Sequence, residues 1–345
     1  MKKLRVGVIG LGMGRWHVRG FREHPGCEVV AIADTNQNRL ASAGEEFGLS
    51  RTYPDGEVML AKESLDIVSI ATPNKFHHGL TVRAFRAGCH VLCEKPMAMN
   101  ASEAREMLAA AKRARKRLMI NFSYRFSAAS QALKREVDRG ALGKVYFGRT
   151  VWHRKRGVPG FGGWFTNKAL AGGGPLIDLG VHRLDLALWL MGHPRPQWAM
   201  AGTYDHLARA MSRGNRKLYS VEDLAAGFIR FRNGATLVVE ASWAANIAEA
   251  ELMETRLMGT KGGLVQRNLN GSYEFEAELF TERKGKVVAS RVESAGIRAR
   301  SPMHHFVDCL VRGRPHSATG EEGLVVMEIL DALYASAKTG RPVRI

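Results

Sequence analysis

The fold turns on "VGVIGLGMGRWH", residues 6–17. A short apolar run, Val6 to Ile9, ends on Gly10, Gly12 and Gly14, and the helix-like "RWHVRGFREH" follows directly. A strand that turns through glycines into a helix is how a dinucleotide-binding fold begins. Gly10 permits the tight turn, and Gly12 lets the backbone approach a pyrophosphate resting on the helix N-terminus. The usual third glycine belongs at position 15, where this chain has Arg15; Gly14 comes one place early. Met13, inside the same turn, is counted with the glycines as a cofactor contact.

The next strand, "CEVVAIAD", ends on Asp34. A carboxylate about 20 residues past the glycines accepts hydrogen bonds from an adenosine ribose and repels a 2′-phosphate. Asp34 or Thr35 also suits the N-cap of the helical "NQNRL", and Arg39 keeps NADP open beside NAD. "LDIVSIAT" is a third strand, "HVLCEKP" a fourth and "RLMINFSYR" a fifth, with helical segments between them. Short apolar strands alternating with such helices form a parallel sheet covered on both faces. Ligands of these sheets sit beyond the carboxyl ends of the strands. Thr72, Pro73 and Asn74, leaving strand three, and Glu94 and Lys95, leaving strand four, are therefore placed beside the cofactor. His77 either touches it or caps the following helix. Lys95 is positioned to donate to a substrate hydroxyl and to steady developing alkoxide charge.

From residue 123 the rhythm changes. A helix, "SAASQALKREVDRG", and a strand, "KVYFGRTVWHRKR", lead through a glycine-rich loop to "GGGPLIDLGVHRLDLALWLMG", residues 172–192. Alternating segments follow, then two closing helices. The chain thus divides into residues 1–122, an α/β Rossmann domain, and 123–345, an α+β domain with a mostly antiparallel sheet. The 172–192 stretch reads as a buried helix, yet Asp178, His182 and Asp185 share one face at steps of four and three. Buried ionisable groups are costly unless paired, so this stripe asks for a function.

Composition narrows the classes. Hydrophobic residues at 45% and charged residues at 24% match a globular protein, and no apolar run approaches the ~20 residues of a membrane span. The N-terminus lacks the long apolar core and cleavage site of a signal peptide, so the expected location is cytoplasmic. The net charge of +18 raises nucleic acid as a partner. Its densest run, Lys112 to Arg117, closes a helical segment, where cations suit the dipole, and no nucleic-acid motif accompanies it. No nucleic-acid partner is expected. Cys27, Cys89, Cys93 and Cys309 are not a disulfide framework in a chain this long. Cys89 and Cys93 face away from His90 on a strand, so buried cysteines are favoured over a metal site, and no metal is expected.

In their order, "GLGMGRWH", "AIAD", "ATPNKFHH", "CEKP", "GGGPLIDLGVHRLD" and "GTKGG" resemble the Gfo/Idh/MocA oxidoreductases, and the likeness covers nearly the whole chain. The resemblance implies a Rossmann domain followed by a substrate-binding and oligomerisation domain with a large, open antiparallel sheet. It implies a homo-oligomer, dimer or tetramer. It further implies hydride transfer between NAD, or NADP, and a secondary alcohol of a sugar, glycoside or polyol. By the same likeness Lys95 orients the reacting hydroxyl, His182 is the general acid/base and Asp178 shares the catalytic pocket. Trp164 lies in a loop that approaches the nicotinamide, and the part played by Asp185 stays open.

Candidates for the substrate wall are Tyr124 and Arg125 in "SYRF", His153 and Arg156 in "WHRKRG", and Trp164. Trp152 either stacks on a sugar or belongs to the core. Three other readings stand beside the dehydrogenase. One is a redox-neutral glycosidase in which the hydride returns to the sugar. Another is a non-catalytic, dinucleotide-dependent regulator. The third is a metal hydrolase built on Asp178, His182 and Asp185.

Overall fold

The computed structural model describes residues 3–215, 217–294 and 301–345. Two compact units emerge. The first takes residues up to Asn121 and a later segment ending at Met327; the second begins at Phe122 and is completed by Glu328–Ile345.

The first unit runs β1 (Leu4–Ile9), α1 (Gly14–Arg22), β2 (Cys27–Ala33), α2 (Gln37–Phe47), β3 (Thr52–Tyr53), α3 (Gly56–Lys62), β4 (Ile67–Ile70), α4 (His77–Arg86), β5 (His90–Cys93), α5 (Ala101–Ala114) and β6 (Leu118–Ile120). Among the described residues these strands form one parallel sheet in the order β3-β2-β1-β4-β5-β6. Strand order reverses between β1 and β4, and ligands of doubly wound sheets bind at that switch point. The central strands are buried on both faces, which is why "IVSI" and "HVLC" carry no polar alternation. The sequence reading missed β3, because a two-residue strand has no period to detect. It also misplaced a cap. Asn36, not Asp34 or Thr35, caps α2, accepting from Arg39 N at 2.9 Å.

The second unit holds α6 (Ala128–Asp138), β7 (Val145–Arg154), α7 (Lys168–Ala171), α8 (Val181–Leu190), β8 (Pro196–Tyr204), α9 (His206–Met211), β9 (Leu224–Phe231), β10 (Thr236–Ser242), β11 (Glu251–Gly259), β12 (Gly262–Asn268), β13 (Phe275–Arg283) and β14 (Lys286–Arg291). Next comes α10 (Pro302–Val311), which goes with the first unit, and then α11 (Gly320–Thr339), which is shared. β15 (Val343–Arg344) returns to the second. The division at 122/123 is therefore corrected for the segment ending at Met327. Its physical reason is the edge of β6: Ile120 N donates to Ala318 O at 2.8 Å, and Gly320 abuts Leu108 and Leu118.

The second sheet has the order β14-β13-β12-β11-β7-β10-β9-β8-β15 and is antiparallel except where β7 pairs with β10. β9 alternates strictly between buried and half-buried residues, and β10 does so up to Ala241 and Ser242, which are both buried. Helix α8 covers the inner face over β7 and β11. Every one of its residues but His182 is buried, which leaves Arg183 and Asp185 to be satisfied inside the protein. Among the described residues no helix is long and apolar enough to cross a membrane.

Candidate active site

At the carboxyl end of β1, Gly10 has φ +87°, and a Cβ there would lie 2.5 Å from the Ala71 carbonyl oxygen. Only glycine fits. Gly14 does the work of a third glycine, letting α1 close on the sheet: a Cβ would stand 3.1 Å from Val8 Cγ1. Arg15 is thereby released from the turn. Its guanidinium lies 2.7 Å from Glu46 and 3.1 Å from Ser42 Oγ, both on α2. No side chain caps α1, so its first N–H groups can receive a phosphate.

Asp34 is 8% exposed. Its Oδ2 accepts from Leu11 N at 2.7 Å, and its Oδ1 accepts from Asn36 N at 2.8 Å. The carboxylate is thus a strut that holds the glycine turn against the end of β2. A carboxylate accepts about four hydrogen bonds, so capacity remains for a ribose diol. Arg39 stands 3.5 Å away with an exposed guanidinium, and Thr35 and Met13 are exposed nearby. Beyond β4, Pro73 is half-buried and Asn74 buried, while Thr72 Oγ1 is buried and has no partner among the described residues. An orphaned buried hydroxyl calls for a ligand or a water. These residues fit a dinucleotide.

Two expected cofactor contacts have their polar atoms engaged within the first unit. His77 is wholly buried, its Nδ1 2.8 Å from the Pro96 carbonyl and its Nε2 2.9 Å from the Thr72 carbonyl. It does not cap α4, whose N-cap is Phe76; it ties the loop after β4 to the loop after β5. Burial pushes its pKa down. Glu94 turns inward as well. Its Oε1 meets His17 Nε2 at 2.8 Å and accepts from Asn121 Nδ2 at 2.6 Å, while its Oε2 accepts from Lys95 N. Burial alone would raise this carboxyl, but His17, Asn121 and the Lys95 charge hold it down at about 2. His17 completes the network through Ser69 Oγ at 2.7 Å. Lys95 itself is half-buried at the end of this network.

In the second unit Leu176–Gly180 forms one wide π-helical turn that runs into α8. Such turns gather at functional sites. Here the three ionisable groups of the stripe separate. Asp185 and Arg125 are each 1% exposed and form a two-pronged pair, Nε to Oδ2 at 2.8 Å and Nη2 to Oδ1 at 2.5 Å. Asp185 thus faces Arg125, and the Arg125 guanidinium, expected on the substrate wall, lies inside the second unit against that carboxylate. Asp178 and His182 stay half-buried. Asp178 Oδ2 accepts from Trp243 Nε1 at 3.0 Å. The His182 ring lies edge-on to Tyr124, centroids 5.0 Å apart, and tilted to Trp152 at 5.6 Å. Arg183, next in sequence, is wholly buried. It donates to Thr255 Oγ1 at 2.7 Å, and burial brings its pKa down to about 10.

The remaining wall candidates sort by face. Trp152 is buried beside His182, with Nε1 2.5 Å from Glu251 Oε1. His153, one residue on, points to the opposite face of β7, 3.6 Å from Glu240. Strand alternation removes it from the wall. Arg156 is exposed and braces the turn after β10, donating to Ala245 O at 3.1 Å and Asn246 Oδ1 at 2.9 Å. Trp164 opens a short turn and stacks on Phe165 at 3.8 Å; Phe165 in turn meets Trp243, the donor to Asp178.

Comparison with known proteins now bears on this arrangement. Residues 4–122 match the profile of an oxidoreductase family with an NAD-binding Rossmann fold, and residues 130–265 match the GFO/IDH/MocA C-terminal domain. The chain is 35% identical to D-glucoside 3-dehydrogenase of Escherichia coli strain K12, over 99% of this chain and 97% of that protein. The chain belongs to the Gfo/Idh/MocA oxidoreductase family. Among solved Gfo/Idh/MocA structures, the aldose–aldose oxidoreductase of Caulobacter crescentus, complexed with glycerol, has a TM-score of 0.84 at 29% identity, covering 100% of both chains. Levoglucosan dehydrogenase with NADH and levoglucosan has a TM-score of 0.86 at 25% identity, again over 100% of both. The first unit is an NAD-binding Rossmann domain of this family.

Sequence reasoning missed His17 and Asn121, which hold Glu94 in the first unit, and Glu222, Trp243 and Tyr334, which hold the turn before α8 in the second. Only His17 left a signal, being an ionisable residue in the buried stripe of α1. The others reach their partners from distant segments.

Proposed function

We propose that the protein oxidises a secondary hydroxyl of a sugar or glycoside, with NAD as hydride acceptor. NAD, when bound, supplies the nicotinamide carbon that takes the hydride. The chain supplies binding, orientation and proton handling. The observation that carries this reading is the separation of the stripe. Asp185 is consumed by Arg125, while Asp178 and His182, one turn apart, stay half-buried and accessible. His182 takes the hydroxyl proton, since an imidazole can exchange protons in either direction near neutral pH. Asp178, steadied by Trp243, accepts from a neighbouring hydroxyl. Lys95, matching the lysine of the family's Glu-Lys-Pro motif, donates to the reacting oxygen and steadies its negative charge. Tyr124 and Trp152 offer apolar ring faces to the C–H surface of a pyranose. The glucoside and levoglucosan named for the relatives support a pyranose over an open-chain polyol.

The second unit supplies the substrate wall and the oligomer contact. Support for the contact lies on the open face of its sheet, where Trp198 lies tilted against Phe228 and where Met200, Tyr204 and Met258 are exposed. Dependence on a diffusible dinucleotide supports a cytoplasmic setting.

A panel of alkyl glucosides, an anhydrosugar, aldoses, polyols and uronates, incubated with NAD and followed by NADH absorbance, tests the reading. NADH should accumulate with a pyranose or pyranoside. His182→Ala should lower kcat about 100-fold or more while NADH still binds. Aglycone released without NADH would make the protein a redox-neutral glycosidase. Unchanged turnover in His182→Ala would remove the base.

A further inference from the structure

The turn that carries Asp178 has no cap of its own; Pro175 precedes it and offers no side-chain acceptor. Its first N–H groups are satisfied from elsewhere. Leu176 N donates to Glu222 Oε1 at 3.3 Å, and Gly174 N donates to the same carboxylate. Ile177 N donates to the Tyr334 hydroxyl, which donates onward to Glu222 Oε1 at 2.8 Å. Backbone donors at one helix start thus converge on a single buried carboxylate, directly or through one tyrosine. Glu222 lies in the loop before β9 and is 8% exposed. Tyr219 fixes its backbone, donating to the Glu222 carbonyl at 3.2 Å.

The glycines before the turn belong to this arrangement. A Cβ on Gly173 would sit 2.1 Å from the Tyr334 hydroxyl oxygen. One on Gly174 would sit 2.1 Å from the Glu222 carbonyl oxygen and 3.0 Å from its carboxyl carbon. Close approach, not backbone conformation, therefore demands glycine at both positions. Burial pushes the Glu222 carboxyl up, and the hydrogen bonds from Tyr334, Gly174 and Leu176 act against that shift.

We propose that Glu222, with Tyr334, is a positioning residue that fixes the turn presenting Asp178 and His182. The inference rests on the reading of His182 as the base. Glu222 touches neither Asp178 nor His182 in any contact described above, and acts through the backbone between them. Without these bonds the end groups of the wide turn lose their partners, and the turn can shift toward ordinary helical bonding. Tightening swings Asp178 relative to His182, and displacements of this kind are costly in catalysis.

The test compares Glu222→Ala, Glu222→Gln and Tyr334→Phe, with His182→Ala alongside, using NAD and the fastest sugar of the panel above. Glu222→Ala should lower kcat about 30-fold or more, with KM for NAD and NADH affinity unchanged. The Glu222→Gln amide oxygen still accepts from Leu176 and Tyr334, so its kcat should stay within about fivefold of the parent. Tyr334→Phe should fall between the two. Should Glu222→Ala fail to fold, the two milder variants decide the matter. A folded Tyr334→Phe or Glu222→Ala with the parent kcat overturns the inference, as does a Gln variant no better than Ala. A loss in His182→Ala alone would leave the base standing and remove only the positioning role. Parent turnover in His182→Ala would remove the reading beneath it.

Discussion

The turn after β1 and the turn before α8 both place function at the start of a helix, and they are held in opposite ways. At the first, Gly10 and Gly14 act by having no side chain, and the strut from Asp34 reaches back 23 residues to Leu11. At the second, the supports come from afar: Glu222 is 46 residues from Leu176, Arg125 is 60 from Asp185, Trp243 is 65 from Asp178, and Tyr334 is 112 from Glu222. One site is built from a nearly continuous motif. The other is assembled by the tertiary fold, so its geometry depends on the whole second unit.

The sharpest way to break this comparison is to cut the deepest of those supports. Arg125→Ala removes the guanidinium from a carboxylate that is buried on α8. The expected loss is about 3–5 kcal/mol in urea unfolding, the usual result of breaking a buried pair on one side. The double variant Arg125→Met with Asp185→Leu should recover most of it, because burying two apolar groups carries no desolvation penalty. A loss below about 1 kcal/mol for the single variant would mean that α8 is not anchored there.

The first unit has its own buried pair, and it responds to pH. Folding lowers the Glu94 pKa from 4.5 to about 2, the effect of His17, Asn121 and Lys95 outweighing burial. The stability this contributes, about 3 kcal/mol, is complete above the unfolded pKa and is lost as pH falls toward the folded one. Unfolding midpoints should therefore drop between pH 5 and pH 2 in the parent. In Glu94→Gln they should start lower and fall less steeply. Parallel curves for the two proteins would detach the acid sensitivity from this carboxylate.

These contrasts also explain what the sequence disclosed. The strand–glycine–helix start, the parallel character of the first sheet and the closing helices follow local periodicity and turn chemistry, and all were legible. So was the oddity of three ionisable groups on one apolar helix. Their fates were not. Whether Asp185 or His182 meets a ligand depends on Arg125, Tyr124 and Trp152, which no spacing rule connects to α8. His153 was placed on the substrate wall and Trp152 left between wall and core, although strand alternation sends neighbouring side chains to opposite faces once β7 is placed. His77 and Glu94 sat where ligand contacts are expected, and only the structure shows their polar atoms committed to carbonyls, His17 and Asn121.

The cofactor end offers gentler probes of its local design. Asp34→Ala deletes both the strut to Leu11 and the acceptor available to a ribose. It should raise KM for NAD about tenfold or more, near 1.4 kcal/mol, and should narrow the preference for NAD over NADP because Arg39 is then free of its carboxylate at 3.5 Å. An unchanged NAD/NADP ratio would place the ribose elsewhere.

The smallest effect should come from the residue that looked most disruptive. Arg15 occupies the place of the usual third glycine, yet its guanidinium is engaged with Glu46 and Ser42 on α2, and both charged partners are about a quarter exposed. Ion pairs of that exposure contribute about 0–1 kcal/mol. Arg15→Ala should therefore shift stability by about 0.5 kcal/mol or less and leave KM for NAD within about twofold. The reason is Gly14, whose missing Cβ already gives α1 its close approach to Val8. If Arg15→Ala instead raised KM for NAD tenfold with stability intact, the guanidinium would be a pyrophosphate ligand. The first turn would then depend, like the second, on a side chain that its motif does not predict.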